Sequence, residues 1–559
     1  MQVFAFVVTV VALGCTEAAH VQTPSPADGV EELVEGLSDL RSQCLYTAAT
    51  RHLELVLEPD DVAWVVRGTN GVLEVNGFPC GDAAPSTISV IEGSAGDQTI
   101  ILDYRAGTFA PGKPSGPGVT IALGGQTMAD AAKIITTPGI DRVVVGANGA
   151  ALDGDAFVDV TFAGIEALTF NLDDGNDTFS GAGDATTGAA TAIPLELYGG
   201  AGADSLRGGM ATDFSHGGDG DDTFLGGPAV DGADTLIGGG GRDTADYTMR
   251  AASLTISIDN VANDGAAGEL DDVRDDVEIV RGGSAGDTIT GGSGNDTLFG
   301  GPGDDTLAGG LGDDLLFGEA GNDSFDEGSS ANGADTFDGG TGSDTISYAI
   351  RSVAIEISID DAPHSGAVNE HDRIRGSVEH ARGGTGDDTI TGSALANVLD
   401  GGAGDDEIDG GAGEDTLRGG TGTNVLSGGA GDDRFDQGAS ASGRDLISGG
   451  PGLDTVDYGA RTADLVIVMD GVTSSGAAGE ADLVGTDVDN AVAGSGDDSI
   501  TGNAGDNTLD AQGGTDTLFG LAGDDVLDGG PGVDAVDCGS GDADVNLDPI
   551  TSTRDGCEL

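Results

Sequence analysis

Residues 282–326 read GGSAGDTIT GGSGNDTLF GGPGDDTLA GGLGDDLLF GEAGNDSFD, five consecutive nine-residue units in one register. Six more fill 383–436 (GGTGDDTIT GSALANVLD GGAGDDEID GGAGEDTLR GGTGTNVLS GGAGDDRFD), five span 493–537, and three begin at Gly199. The common form is G-G-x-G-x-D-x-U-x, where U is a large apolar residue. Periodicity of this length marks a stacked-repeat architecture. A flexible glycine-rich linker would not keep an apolar residue in one slot over dozens of residues.

The nine positions divide by chemistry. Paired glycines permit positive φ and close backbone approach, so the first six residues can form a tight turn that exposes carbonyl oxygens. A carboxylate closes that turn at position six. The last three residues form a minimal strand whose central side chain points inward. In the two longer runs quoted above these inward residues are Ile289, Leu298, Leu307, Leu316 and Phe325, then Ile390, Leu399, Ile408, Leu417, Leu426 and Phe435. A hard cation such as Ca²⁺ takes about six to eight oxygen ligands from carboxylates and carbonyls, more than one turn supplies. Two stacked turns can complete the shell, which requires the repeats to lie on one another.

The pattern resembles the calcium-binding nonapeptide repeats of secreted RTX (hemolysin-type) proteins. The resemblance implies an all-β fold, a right-handed parallel β-helix or β-roll solenoid in which two nonapeptides make one coil and Ca²⁺ lies between turns two repeats apart. Carried onto position six, it assigns as calcium ligands Asp204, Asp222 and Asp243; Asp287, Asp296, Asp305, Asp314, Asp323 and Asp344; Asp388, Asp406, Asp415, Asp433 and Asp454; and Asp498, Asp516, Asp525 and Asp534. Asn397, Asn424 and Asn507 hold the same slot without its charge and are expected to mark vacant or weak sites.

The segments between runs repeat as well. Tyr247, Arg250, Asp259, Glu269, Asp271 and Gly282 recur 101 residues later as Tyr348, Arg351, Asp360, Glu370, Asp372 and Gly383, and then 110 residues later as Tyr458, Arg461, Asp470, Glu480 and Asp482. The two periods differ by nine, one nonapeptide, so the modules differ by a whole repeat. The Asp, Glu, Asp sets read either as extra calcium sites or as solvated loop residues. These linkers, too, resemble those of secreted bacterial calcium-binding repeat proteins, over about residues 199 to 559.

Composition fits cation binding. The chain of 559 residues has 98 Asp or Glu against 21 Lys or Arg, a net charge of −77, which excludes the basic surface that nucleic acid requires. Residues 1–19 contain a short apolar run like the core of a signal peptide, without a preceding Lys or Arg; Cys15 offers an alternative lipoprotein reading. No segment is long and apolar enough for a membrane-spanning helix. Residues 20–198 show short strands, at 53–57, 63–66, 88–91, 99–102, 143–145 and 158–161, and read either as longer coils capping the solenoid or as a β-sandwich. The solenoid is assigned 199–537 and a disulfide-closed cap 538–559. Setting Cys15 aside leaves four cysteines, whose sequence proximity favours Cys44 with Cys80 and Cys538 with Cys557.

Three tempting motifs fail on context. GGSAG at 282–286 matches a hydrolase nucleophile elbow but lies in a repeat turn. His364, His371 and His380 are confined to one module, and the equivalents of the latter two in the preceding module are Leu270 and Ile279. DADVN at 542–546 begins like an EF-hand loop but has Leu547 where the turn glycine belongs. The expectation is a secreted, non-enzymatic, monomeric calcium-binding protein in an extracellular structural or adhesive role, with cell surface or polysaccharide as partner. The alternative is a secreted hydrolase or carbohydrate-modifying enzyme whose catalytic residues would fall within 21–198.

Overall fold

A computed structural model describes residues 165–547 continuously, together with strands and a few adjoining residues between 43 and 163, and residues 553–555 and 557. The signal-peptide and Cys15 readings and the Cys44–Cys80 pairing lie outside the described residues. Every regular element among the described residues is a strand. The chain divides into two compact units, Met1–Ala285 and Gly286–Leu559.

In the first unit the repeats place their short strands alternately in two parallel sheets. Thr178–Ser180, Ser205–Arg207, Thr223–Leu225, Thr244–Asp246 and Ile279–Arg281 pair in succession in one sheet. Leu195–Ala201, Phe214–Asp219, Thr235–Gly240 and Asp272–Val273 pair in the other. Leu206 sits opposite Phe224, 18 residues on, so one coil is two nonapeptides. The N-terminal strands continue the same two sheets through longer coils. His52–Leu57, Thr87–Glu92, Val119–Ala122 and Val160–Ala163 run parallel on one side. Val62–Arg67, Thr99–Asp103, Ala131–Ile135 and Ala167–Asn171 run parallel on the other, a coil-on-coil stacking of these described strands.

In the second unit one sheet runs unbroken from Thr288–Thr290 to Val545–Asn546. The opposite side is divided into three sheets, and the linkers explain the breaks. In the two linkers that lie within this unit, the Y-x-x-R corner is followed by a strand that opens a new sheet, Glu356–Ser358 or Leu465–Val468. A short strand then closes the old one, Arg373–Ile374 or Leu483–Val484. A third rejoins the unbroken sheet, His380–Arg382 or Asn490–Val492.

The slot assigned from sequence as inward is the core. All eleven apolar residues named for the two runs are at most 1% exposed. With so small a core, the turns must be held by something else. In most of the turns position two is left-handed and backs onto the carbonyl 18 residues earlier, as Gly402 (φ +95°) does onto Gly384. Glu319, Gln512 and Leu521 occupy that position with φ of 73°, 63° and 80°, a conformation that costs a non-glycine residue about 1–2 kcal/mol.

Candidate metal centre

The position-six side chains build a ladder along the turns. The Asp287 N–H donates to Asp305 Oδ1 at 2.7 Å, the Asp305 N–H to Asp323 Oδ1 at 2.9 Å, and the Asp323 N–H to Asp344 Oδ1 at 2.8 Å. On the other side Asp296 donates to Asp314, while further along Asp388 donates to Asp406, Asp415 to Asp433 and Asp433 to Asp454, all at 2.7 to 2.9 Å. Asp204, Asp222 and Asp243 form the same ladder in the first unit, as do Asp498, Asp516 and Asp534 in the second. Each carboxylate thus spends one oxygen on the backbone of the coil before it.

The other oxygen is the site. Oδ2 of Asp204, Asp222, Asp243, Asp305, Asp314, Asp323, Asp344, Asp406, Asp415, Asp433, Asp454, Asp516 and Asp525 is buried without a hydrogen-bond partner. It lies against the first glycine of its own turn: a Cβ added to Gly300 would overlap Asp305 Oδ2, which is why that position is glycine. An unpaired buried carboxylate oxygen is costly. Burial pushes Asp305 and Asp243 up to about 7 and Asp222, Asp314, Asp406, Asp415, Asp454 and Asp516 up to about 6; the backbone N–H bonds oppose the shift and neighbouring carboxylates add to it. The arrangement lacks positive charge, and its donors are hard oxygens only, which fits Ca²⁺. Asp pairs one coil apart, with the turn carbonyls between them, would hold the ion. Bound calcium supplies the charge and oxygen coordination that these carboxylates lack.

The assigned residues are not all alike. In Asp296, Asp388 and Asp498 the second oxygen accepts the N–H of position two of its own turn, from Gly292, Gly384 and Gly494. The Asn slots are self-contained. Asn397 Nδ2 donates to the Glu379 carbonyl, Asn424 Nδ2 to Asp445 Oδ1 and Asn507 Nδ2 to the Asp489 carbonyl. Asn424 Oδ1 still accepts the Asp406 N–H, whereas Asn397 and Asn507 turn Oδ1 to the N–H of position two of their own turn, from Ser393 and Asn503, so in each slot a donor replaces one carboxylate acceptor.

Several ladder members fall outside the sequence assignment. Asp177 and Asp544 extend it at either end with the same orphan Oδ2, accepting the Asp141 and Asp525 N–H groups. Asp177 belongs to LDDGNDTFS (172–180), whose first two positions are not glycine; Asp544 lies in the segment rejected as an EF-hand. Asp234, Asp335 and Asp445 lie in twelve-residue units, 226–237, 327–338 and 437–448, that carry three extra turn residues. They accept the N–H groups of Asp213, Asp314 and Asn424. An outer ladder uses position five, as when the Asn322 N–H donates to Asp304 and the Asp405 N–H to Asp387.

The linker acids correct the solvated-loop reading. Asp259, Asp360 and Asp470 are exposed, but the Glu and second Asp of every module are buried. Arg250, Arg351 and Arg461 pair with Glu269, Glu370 and Glu480. The hydroxyls of Tyr247, Tyr348 and Tyr458 donate to Asp271, Asp372 and Asp482 at 3.1, 2.8 and 2.7 Å. Each linker is thus clasped by a fixed guanidinium. The histidines do not converge: His364 contacts Asp360 and Glu356, whereas His380 contacts Ser343. Ser284 bonds the Arg250 carbonyl. The Cys538–Cys557 disulfide is formed.

Stacked parallel coils with aspartate ladders along their turns define a calcium-binding β-roll. The family model for the RTX calcium-binding nonapeptide repeat matches residues 196–227, 229–246, 275–307, 299–326, 330–347, 382–417, 409–439, 440–460, 484–518 and 511–543. Through this region the chain belongs to the RTX calcium-binding repeat family and is a calcium-binding repeat protein. No curated protein matches it.

Proposed function

We propose that this chain is a secreted, non-enzymatic protein whose calcium-loaded solenoid serves outside the cell as a monomeric structural or adhesive element. The observation that carries this reading is the succession of buried carboxylate oxygens without partners, which makes the fold conditional on abundant calcium. Extracellular fluid supplies that calcium, and the Cys538–Cys557 bridge suits an oxidising compartment. No helix among the described residues is long and apolar enough to cross a membrane. Cell surfaces and polysaccharides are the partners to test. The full chain is incubated with cells and with immobilised polysaccharides in calcium and in chelator, and the same preparation is assayed for hydrolysis of those polysaccharides. The proposal expects binding in calcium, loss of binding in chelator and no turnover. Hydrolysis, or absence of binding in calcium, would overturn it.

A further inference from the structure

The twelve-residue turns differ at their first residue: Gly226, Glu327 and Gln437. Glu327 brings a carboxylate into the clasp of the middle linker, where it is 1% exposed. Its Oε2 contacts Arg351 Nη2 at 3.2 Å, and its Oε1 is buried with no partner. Two further carboxylates face it. Glu370 accepts Arg351 Nη1 at 3.0 Å and Nη2 at 2.9 Å. Asp372 accepts the Asp335 N–H at 3.0 Å and the Tyr348 hydroxyl at 2.8 Å. One oxygen from each of Glu327, Glu370 and Asp372 lies within 4.8 Å of the other two.

Charge and chemistry indicate what is missing. Three carboxylates surround one guanidinium, with Asp335 beside them, and a divalent cation would offset most of this excess negative charge. Each carboxylate offers about four lone-pair positions, so the bonds already made leave room for a further ligand contact. The donors are all carboxylate oxygens with no imidazole or thiolate, a set suited to calcium, magnesium or manganese and not to softer ions. The third module provides an internal comparison, because Gln437 places a neutral side chain of the same length at this position. Among the described residues no such three-carboxylate cluster occurs in the linkers that carry Gly226 or Gln437.

We propose that Glu327, Glu370 and Asp372 hold a hard divalent cation of the calcium class, at a buried side-chain site separate from those of the nonapeptide turns. Tyr348 reports on it, because its hydroxyl bonds one of the ligands. Terbium, a luminescent stand-in for Ca²⁺, is titrated into the calcium-loaded full chain with excitation of tyrosine. Glu327→Gln, which reproduces the third module, is expected to lose most of the slowly exchanging sensitised emission while retaining the β circular dichroism of the parent. Tyr348→Phe is expected to lose it too, and Tyr458→Phe to leave it intact. Emission unchanged in Glu327→Gln overturns the site. So does equal loss from Tyr348→Phe and Tyr458→Phe. Should Glu327→Gln fail to fold in calcium, the two tyrosine variants decide between the same outcomes.

Discussion

Asp305 lets the two roles of a position-six aspartate be separated. Its Oδ1 accepts the Asp287 N–H at 2.7 Å, and its Oδ2 has no protein partner. Asp305→Ala removes both roles and leaves a buried N–H unsatisfied, which costs about 1–3 kcal/mol. It also removes a cation ligand; a site filled at a hundred times its Kd contributes about 2.7 kcal/mol to the folded state. If occupancy there is lost, the total is about 4–6 kcal/mol in calcium. Asp305→Asn retains an acceptor, as Asn424 does for the Asp406 N–H at 3.0 Å, so only the calcium contribution, about 3 kcal/mol, should go. Because repeats interact chiefly with their neighbours, the loss should stay local. Calcium calorimetry should show weakened binding without abolition, and hydrogen exchange should show lost protection around 287–323 with little change around 406–433. Equal effects of Ala and Asn, or unchanged calcium stoichiometry and affinity in both, would refute this division of roles.

Other perturbations probe the remaining parts. Burial holds Asp305 and Asp243 at about 7 against 3.8 when unfolded. The calcium-free fold therefore keeps protons that the unfolded chain has released, and its stability falls as pH rises from about 4 through 7. In chelator, the β circular dichroism that the repeats retain should therefore be larger near pH 4 than at pH 8, and a signal that grows over this window would refute the assignment. In the third clasp Arg461→Met leaves Glu480 buried without its ion pair, and should cost about 3–5 kcal/mol by denaturant unfolding in saturating calcium.

The repeat is legible in the sequence because each slot serves a single physical purpose. The apolar residue fills the coil, the aspartate closes the turn, and the glycine avoids a carboxylate oxygen. What the sequence hides arises between coils. Asp335 escapes the nine-residue register because three extra residues shift it, although its carboxylate still meets the Asp314 N–H. Asp177 escapes because its turn lacks the paired glycines. Glu370 looks solvated in the sequence because its partner Arg351 lies 19 residues earlier and meets it only once the coil has closed. Position five reads as variable although Asp and Asn recur there, because a rung of the outer ladder needs the coil stacked on it.

The central claim is that calcium binding and folding of the repeats are one process. Bringing these carboxylates together without cations costs electrostatic free energy that a core of one apolar side chain per nonapeptide should not offset. The most direct measurement is circular dichroism of the full chain, stripped with chelator and titrated with Ca²⁺, with Mg²⁺ as control. The account predicts a largely unfolded repeat region in chelator, a cooperative gain of β signal with calcium, and little response to magnesium, whose smaller octahedral shell retains its waters. A β spectrum that survives exhaustive chelation would contradict it and leave a solenoid held by packing and backbone ladders alone.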